Sequence, residues 1–431
     1  MIGRFILAAI ITLGYMATTM AGKSQGGVSE LSSGNLAFSK KLYGVLKEAA
    51  GVSGNIFYSP ASLEVALALV YVGAKGSTGQ EIARCLSLPE SHERCCDAIS
   101  ACMSRWTTKS TDVTLNIANG LFVKKGFSLK QAYLDAARKY FYSLVNAVDF
   151  NSEEGLKAIN DFVASATSGK IMNLFQRDSF DALTRVVLVN AIYFKGNWAS
   201  QFKPENTFKG DFHLNEKETV KVDFMVQTNR FNVGFREELD ASVVVLPYKA
   251  SDLSMVLVIP NKIEGLSKVE ERLSELDLVN IVRETYSEEI ILRMPKFKIT
   301  ETLKLSNVLK RLGITEMFGD KADLSGIASE ALFVSEVVQK TYIEVNEEGS
   351  EAAAATAASC RKKRCALIAR EIEVDRPFLF FIRNDQLVLF VGCVRNDFNF
   401  VRDSSENSGH EEFSAASENP LNYQNNALDE L

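Results

Sequence analysis

The sequence predicts a large α+β protein, and three observations support this class. Hydrophobic residues make up 46% of the 431 residues and charged residues 24%, which is normal for a globular chain. Apolar patterns run from helices, through alternating strands and helices, to strands. Glycine and proline are scattered, and no linker divides the roughly 370 residues between the two ends. We therefore expect one compact, composite domain.

The first 21 residues predict a signal peptide. Residues 1–4 form a short cationic start, residues 5–16 an apolar core, and residues 19–21 a small-x-small cleavage pattern, so we expect cleavage after Ala21. A retained anchor is the less favoured alternative, because an apolar core of about 12 residues is shorter than the roughly 20 that a spanning helix needs. The sequence thus predicts a soluble protein of the secretory pathway, either secreted or held in the lumen of the endoplasmic reticulum.

Apolar spacing marks the main elements between the two ends. Residues 36–46 and residues 63–70, which follow Ser59 and Pro60, recur at helical spacing. Residues 186–194 and 253–259 are β-branched and aromatic runs that suit strands. Residues 337–345 alternate as a strand and lead directly into the most distinctive part of the chain.

Residues 347–365 join a run of small residues to four consecutive cations. No large side chain occurs between Gly349 and Ser359. If this run becomes a strand, Glu351 lies on one face, and the other face carries Ser350, Ala352, Ala354, Thr356 and Ala358. Such a strand could slide between packed strands without overfilling the core, since inserted bulk costs roughly 1 to 3 kcal/mol. An alanine-rich surface helix is the alternative.

These residues resemble the hinge and reactive-centre loop of the serpins, and further motifs extend the resemblance over residues 30–398. The motifs are residues 55–62, 73–78, 188–198, 295–297, 375–383 and 389–392. The resemblance implies a single serpin domain with three β-sheets, about eight or nine helices and an exposed reactive-centre loop at residues 347–370. It also implies a protease inhibitor that works by conformational change, and no enzyme.

The resemblance assigns roles to individual residues. The residues that correspond to the serpin hinge are Glu347, Glu348, Gly349, Ser350, Glu351, Ala352, Ala353, Ala354, Ala355 and Thr356. Ser59, Ser62, Asn190 and Gln339 correspond to the polar cluster where the sheet opens, and Trp198 to the point at which the strand first inserts. Many relatives have histidine where Gln339 stands, and glutamine cannot titrate near neutral pH. We therefore expect no pH-gated opening at this position.

The four cations predict the target protease. Arg361, Lys362, Lys363 and Arg364 fit subsites lined with carboxylates, and Arg-x-(Lys/Arg)-Arg is the cleavage pattern of furin-like proprotein convertases. We predict that the reactive bond joins Arg364 to Cys365. The family's usual spacing, counted from Glu347, places the cut after Lys363 instead. A trypsin-like protease needs only one cation before the cut and would accept either bond.

Other functions stay open as alternatives. The chain could be a non-inhibitory binding protein of the same fold, or a precursor that is simply cut at its basic site. Four basic residues could also form a nuclear signal or a polyanion-binding patch. The signal peptide argues against the nuclear signal, and the position of the cations at the loop tip argues against the patch.

Seven cysteines leave at least one thiol unpaired in a monomer. Cys360 and Cys365 bracket the predicted cut. A disulfide between them would tie together two chain ends that insertion must separate by roughly 40 Å, at about 3.3 Å per strand residue. We predict free thiols in the active inhibitor or else a redox switch, with two incidental cysteines as the alternative.

Residues 399–431 are acidic and polar, and they cannot bury enough apolar surface to offset their ordering entropy. We predict a disordered tail. It ends in Leu428, Asp429, Glu430 and Leu431, which resembles the signal that a receptor uses to return proteins to the endoplasmic reticulum. Leu428 lacks the usual basic character, so retrieval and a plain acidic tail both stay open.

The sequence points to no other chemistry. Three scattered histidines fit neither a zinc pattern nor a Ser-His-Asp enzyme, and no phosphate-binding glycine loop occurs. We expect no catalytic residue, no cofactor and no metal. A net charge of −6 gives no general attraction to nucleic acid or to anionic membranes. We expect a monomer whose partner is a serine protease.

Overall fold

The computed structural model describes residues 30–51, 54–106, 110–350 and 369–396. These residues form eight α-helices. The helices are α1 (30–50), α2 (Pro60–Tyr71), α3 (Gly76–Leu86), α4 (His92–Trp106), α5 (Gln131–Phe141), α6 (Glu153–Ala166), α7 (Leu266–Glu271) and α8 (Ser306–Arg311). Among the helices of the described residues, none combines the length and the hydrophobicity that a membrane span requires.

Fifteen strands complete the described fold. They are β1 (Ile56–Tyr58), β2 (Val113–Lys124), β3 (Leu144–Val148), β4 (Val186–Asn197), β5 (Phe208–His213), β6 (Thr219–Arg236), β7 (Ala241–Pro247), β8 (Ser254–Pro260), β9 (Tyr286–Pro295), β10 (Phe297–Lys304), β11 (Glu336–Val345), β12 (Gly349–Ser350), β13 (Arg370–Glu373), β14 (Phe378–Arg383) and β15 (Val388–Val394).

The larger sheet has nine strands in the order β1-β15-β14-β8-β7-β6-β9-β13, with β5 paired to β6. Its long strand β6 pairs with β5 near its start and with β7 near its end. Two of the three expected sheets therefore share β6, and hydrogen bonding joins them into one. The predicted α+β class is confirmed.

The smaller sheet positions the candidate site. Its order is β10-β11-β4-β2-β3, and the two-residue strand β12 also pairs with β4. The central strands β11 and β4 are parallel neighbours from the pair Glu336–Val187 to the pair Ile343–Phe194. The seam between β11 and β4 is the place at which a further strand would enter this sheet.

The two faces of β4 pack into two different cores. Leu188, Ile192 and Phe194 face the main core, which also contains helix α2, whereas Val187 and Val189 belong to the core that includes α6 side chains. Every residue of α2 is buried, as expected for a helix that is mostly apolar around its whole circumference. Any strand added at the seam must therefore present small residues to the main core.

Candidate functional site

A buried polar network lies beneath the seam between β4 and β11. Gln339 and Asn190 stand opposite each other on these strands. Gln339 Nε2 donates to Asn190 Oδ1 at 2.6 Å, and Asn190 Nδ2 donates to Ser62 Oγ and to Asn119 Oδ1, both at 2.6 Å. All four residues are buried. The network therefore links three neighbouring strands to helix α2.

The start of α2 completes this network. Ser59 N donates to Gln339 Oε1, and Gln339 Nε2 donates to Ser59 O, both at 2.9 Å. Ser59 Oγ accepts from Ser62 N at 3.2 Å and so caps the helix. The four residues assigned to the sheet-opening region thus lie in one cluster. Asn119 belongs to it as well and was missed, although an asparagine within an apolar strand is a visible signal.

Opening the seam must break the bond between Gln339 and Asn190. Neighbouring strands lie about 4.8 Å apart, so an inserted strand roughly doubles the separation of β4 and β11. The broken bond leaves buried polar atoms that the inserted strand has to satisfy. The network consequently favours the closed sheet.

We expect Gln339→Ala to destabilise the native protein by about 1–3 kcal/mol, because it leaves Asn190 Oδ1 and the Ser59 backbone with unpaired buried groups. Urea unfolding followed by circular dichroism measures this change. Gln131→Ala is the matched control, since Gln131 is exposed and bonds only to Asp135 in its own helix. Equal unfolding midpoints for the two variants would contradict the role of the network.

The base of the predicted reactive-centre loop is a tight turn. Strand β11 ends at Val345, and Asn346 N donates to Gly349 O at 2.8 Å, while Gly349 N donates to Asn346 O at 3.2 Å. Asn346 Oδ1 also accepts from the backbone N–H groups of Glu348 and Gly349, at 3.2 and 3.3 Å. The turn directs β12 back towards β4.

Strand β12 pairs antiparallel with β4, and Gly349 makes this pairing possible. Gly349 stands opposite Asn197, and Ser350 opposite Gly196. The φ angle of Gly349 is 149°, and an added Cβ would lie only 1.9 Å from Gly196 O. Glycine is therefore required at this position for both conformational and steric reasons.

Trp198 lies beside this turn, at the predicted point of first insertion. Its Nε1 donates to Asn346 O at 3.0 Å, and its backbone N–H donates to Glu348 O at 2.8 Å. The indole is buried and stacks on Tyr248, with ring centroids 4.8 Å apart. Hydrogen bonds from a buried, rigid tryptophan thus hold the turn in place.

Glu347 fixes the turn from the other side. Its carboxylate lies 3.3 Å from Lys296 Nζ and accepts from Thr207 Oγ1 at 2.7 Å, and its carbonyl accepts from Phe202 N at 2.8 Å. Burial by itself would raise the pKa of Glu347. The Thr207 hydroxyl and the Lys296 ammonium outweigh that effect and hold the pKa below its ordinary value.

The remaining predicted site residues fall outside the described residues. They are the hinge residues Glu351 to Thr356, the cations Arg361 to Arg364, both loop cysteines Cys360 and Cys365, the signal peptide and the tail with its last four residues. In the described part of the chain, no cluster of three or more histidine, cysteine, aspartate or glutamate side chains could hold a metal ion.

Five cysteines lie in the described residues, and all are buried free thiols: Cys85, Cys95, Cys96, Cys102 and Cys393. Burial raises the pKa of Cys85 and of Cys96 to about 11. Thiols of such high pKa are poor nucleophiles at neutral pH. These five thiols have no part in the candidate site.

Comparison with known sequences assigns the family. A family model described as Serpin (serine protease inhibitor) matches residues 33–397. The chain belongs to the serpin family. Two relatives share 38% of their residues with this serpin over 85% of its chain and 99% of theirs. They are Ipis-1 of Ixodes persulcatus, over 376 residues, and leukocyte elastase inhibitor A of Mus musculus, over 383 residues.

Solved structures of other serpins share the fold. Serpin48 of the insect Tenebrio molitor has a TM-score of 0.77 and 35% identity, covering 85% of this serpin and 98% of that chain. Human thyroxine-binding globulin, solved in complex with thyroxine, has a TM-score of 0.78 and 27% identity, covering 86% of this serpin and 99% of that chain. Similar folds therefore serve different functions within the family.

The family match supports a protease inhibitor and corrects one expectation. The sequence predicts no enzyme, and the family match corrects this to an inhibitor that acts as a suicide substrate, which takes part in the reaction of its protease without catalysing it. The serpin contributes the bond that is cut, and the protease contributes the nucleophile.

Proposed function

We propose that this serpin inhibits a serine endopeptidase of basic specificity, and that the preferred target is a furin-like proprotein convertase. The main observation behind the proposal is that β4 and β11 are paired along a closed seam, while β12, at the base of the loop, already pairs with β4 at the end of that seam. Arg361, Lys362, Lys363 and Arg364 follow the loop base in sequence and supply the substrate that the protease recognises.

The first step is ordinary proteolysis. The protease serine attacks the carbonyl of Arg364 and forms an acyl-enzyme ester, and Cys365 leaves as a new amino terminus. The segment before Arg364 is then free at one end. Its other end stays attached to β12 and β11, beside the end of the seam at Ile343 and Phe194.

The second step is insertion of the freed segment between β4 and β11. If the register of Gly349 with Asn197 continues, Thr356 would stand between Asn190 and Gln339. Its hydroxyl could then replace the hydrogen bond that opening of the seam breaks. Each new backbone hydrogen bond contributes about 0.5 to 1.5 kcal/mol net, so a dozen residues give on the order of ten kcal/mol.

This energy is what traps the protease. The protease is carried along with the inserting strand while it is still joined to Arg364 by the ester. Deformation of its oxyanion hole removes the donors that stabilise the deacylation transition state, and loss of one such donor already slows an enzyme by about 100-fold or more. The ester consequently persists.

The loop tip separates this serpin from the relatives that are named for elastase. Elastase has a small specificity pocket, which cannot take a long cationic side chain. Four consecutive cations instead suit a protease whose subsites carry several carboxylates, because each cation can then form a charge-assisted hydrogen bond. This argument favours a convertase over a trypsin-like protease, which uses one cation.

The test is incubation of the purified serpin with furin and, separately, with trypsin. We expect a complex with furin that survives boiling in SDS and has nearly the summed mass. Arg364→Ala should slow the inhibition of furin by about 100-fold, since it removes the charge-assisted contact next to the cut. Lys362→Ala is the matched control, because the Arg-x-(Lys/Arg)-Arg pattern leaves position 362 open, and Lys363→Ala, which should also have a smaller effect than Arg364→Ala, reports on the position of the cut.

The outcomes separate the alternatives. A larger loss of inhibition in Lys363→Ala than in Arg364→Ala would instead place the reactive bond after Lys363. A stable complex with trypsin alone would support a trypsin-like target. Clipped product with both proteases and no complex would contradict inhibition and favour a binding protein or a precursor.

We also propose that this serpin acts in the secretory pathway, because residues 1–21 have the pattern of a signal peptide. Leu428 to Leu431 would retain it in the endoplasmic reticulum if the retrieval receptor accepts leucine at the first position. Secretion with an acidic tail is the alternative. Furin-like proteases would share either route with the inhibitor.

A further inference from the structure

Two residues of the reactive-centre loop already occupy the start of the inserting strand. On one edge, Gly196 of β4 pairs with Val113 of β2, and on the other edge it pairs with Ser350. The pairing between β11 and β4 stops at Ile343 and Phe194. Strand β12 therefore lies on the edge of β4 that faces β11, just beyond the last closed pair.

We propose that Asn346 is a positioning residue that holds the loop at this starting point and thereby sets how often an encounter ends in trapping. The proposal rests on the proposed function and adds to it a residue that determines its efficiency. Sequence patterns gave no reason to single out Asn346, which lies between the end of β11 and the hinge.

The contacts of Asn346 support this role. Its side chain and backbone together make four hydrogen bonds within residues 346–349, and its carbonyl also accepts from the indole of Trp198. Asn346 is only 9% exposed. The chain on both sides is fixed independently, by the end of β11 and by the bonds of Glu347 and Glu348. The turn at Asn346 joins these two fixed segments and directs the chain from the end of β11 towards β4.

The kinetic consequence follows from competition. After acylation the protease either hydrolyses the ester or is carried away by insertion. A new strand must order its first residues before it gains hydrogen bonds from later ones, and this ordering slows its start. With Gly349 and Ser350 already paired, that step is complete before cleavage. Loss of the turn should delay insertion and favour hydrolysis.

The test compares Asn346→Ala with Asn346→Asp. The alanine variant loses the side-chain acceptor for Glu348 N and Gly349 N, whereas aspartate keeps an oxygen in its place. We expect the alanine variant to need about five-fold or more serpin per protease inactivated. The aspartate variant should restore most of the difference. The rate at which the protease first cuts the loop should be equal in both variants.

A merely structural role gives a different result. Asn261→Ala is the control, because Asn261 is an exposed loop residue whose side chain donates to Asp240 at 2.8 Å. If Asn346→Ala lowers stability as this control does but leaves the stoichiometry unchanged, the proposal is overturned. The proposal is also overturned if both Asn346→Ala and Asn346→Asp need more serpin per protease inactivated than the wild type, and by the same factor.

A second measurement keeps the inference separate from the proposed function. If the wild type gives only clipped product, the inhibitory function fails, yet insertion after clipping can still be timed by tryptophan fluorescence, since Trp198 bonds to the turn. Slower insertion in Asn346→Ala than in Asn346→Asp supports the positioning role. Equal rates contradict it.

Discussion

Ala354→Glu should convert the serpin from an inhibitor into a substrate, whereas Ala355→Glu should leave it an inhibitor. Continued register from Gly349 and Asn197 would place residue 354 between Ile192 and Thr341, on the face of the sheet that meets the main core. A carboxylate in that position would be buried without a partner, which costs several kcal/mol.

The neighbouring position differs in its surroundings. Residue 355 would lie between Ala191 and Lys340 on the opposite face of the sheet. Lys340 is half-buried, and burial lowers its pKa. A glutamate at position 355 would place a negative charge beside this ammonium and offset part of its desolvation. The two variants carry the same new charge and differ only in the face of the strand.

Complex formation with the target protease measures the difference. We expect Ala354→Glu to lower the trapped fraction by about 100-fold, as clipped product replaces the complex. Ala355→Glu should stay within a few-fold of the wild type. Loop cleavage should proceed equally fast in both. Equal trapping by the two variants would show that residues 351–356 do not insert in the register that β12 begins.

The sequence was sufficient to predict the fold and to select the residues of the sheet-opening cluster, because most of these residues lie in recognisable local motifs. Ser59, Ser62 and Asn190 lie within motifs whose residue order is itself distinctive, and Gln339 lies in the strand that leads into the hinge. Their mutual contacts, in contrast, depend on the register of two strands that are about 150 residues apart along the chain. Only the resemblance to a family could supply that long-range pairing in advance.

Asn119 and Asn346 show where sequence reasoning stopped. Asn119 belongs to the cluster because β2 pairs with β4 so that residue 119 stands opposite Asn190. Nothing local to β2 fixes that register. Asn346 matters because the chain turns there, and a turn at the end of a strand could have been an extended connection. Both residues acquire their roles from pairing with distant strands.

Glu64 is the clearest property that the sequence concealed. Helical spacing over residues 63–70 predicts a helix, but it says nothing about the surroundings of Glu64. Helices α3, α4 and α5 and strands β2, β4 and β15 contact α2, and Asn35 of α1 bonds to Glu64, so Glu64 is only 4% exposed. A helix covered on all sides has no polar face, whatever its pattern.

The environment of Glu64 favours the neutral acid. Its Oε2 accepts from Asn35 Nδ2 at 2.9 Å, and its Oε1 is buried with no hydrogen-bond partner among the described residues. The thiols of Cys85, Cys95 and Cys102 lie close enough for a charge on Glu64 to raise their pKa values. Burial raises the pKa of Glu64 to about 8, despite the opposing hydrogen bond from Asn35.

A raised pKa in the folded protein fixes the sign of the pH dependence. The stabilising effect of the neutral acid is complete below the ordinary glutamate pKa of about 4.5 and is lost as the pH rises to about 8. The slope is at most about 1.4 kcal/mol per pH unit. This serpin should therefore be several kcal/mol less stable in mildly alkaline than in mildly acidic solution.

Glu64→Gln should remove this slope, because glutamine has nearly the same shape and cannot ionise. We expect the variant to be more stable than the wild type near pH 8, by an amount on the order of a few kcal/mol, and no more stable near pH 5. Urea unfolding at several pH values measures both. Glu301, whose pKa burial also raises, to about 7, contributes the same slope to both proteins and cancels in their difference.

Glu216→Gln is the matched control, since Glu216 is exposed and its replacement should leave the pH dependence unchanged. Stability differences between wild type and Glu64→Gln that do not vary with pH would show that Glu64 is already ionised or solvated in the native protein. A pH-dependent difference would show that ionisation of Glu64 destabilises the native protein. Ionisation of Glu64 would then weaken the native, uncleaved state on which trapping depends.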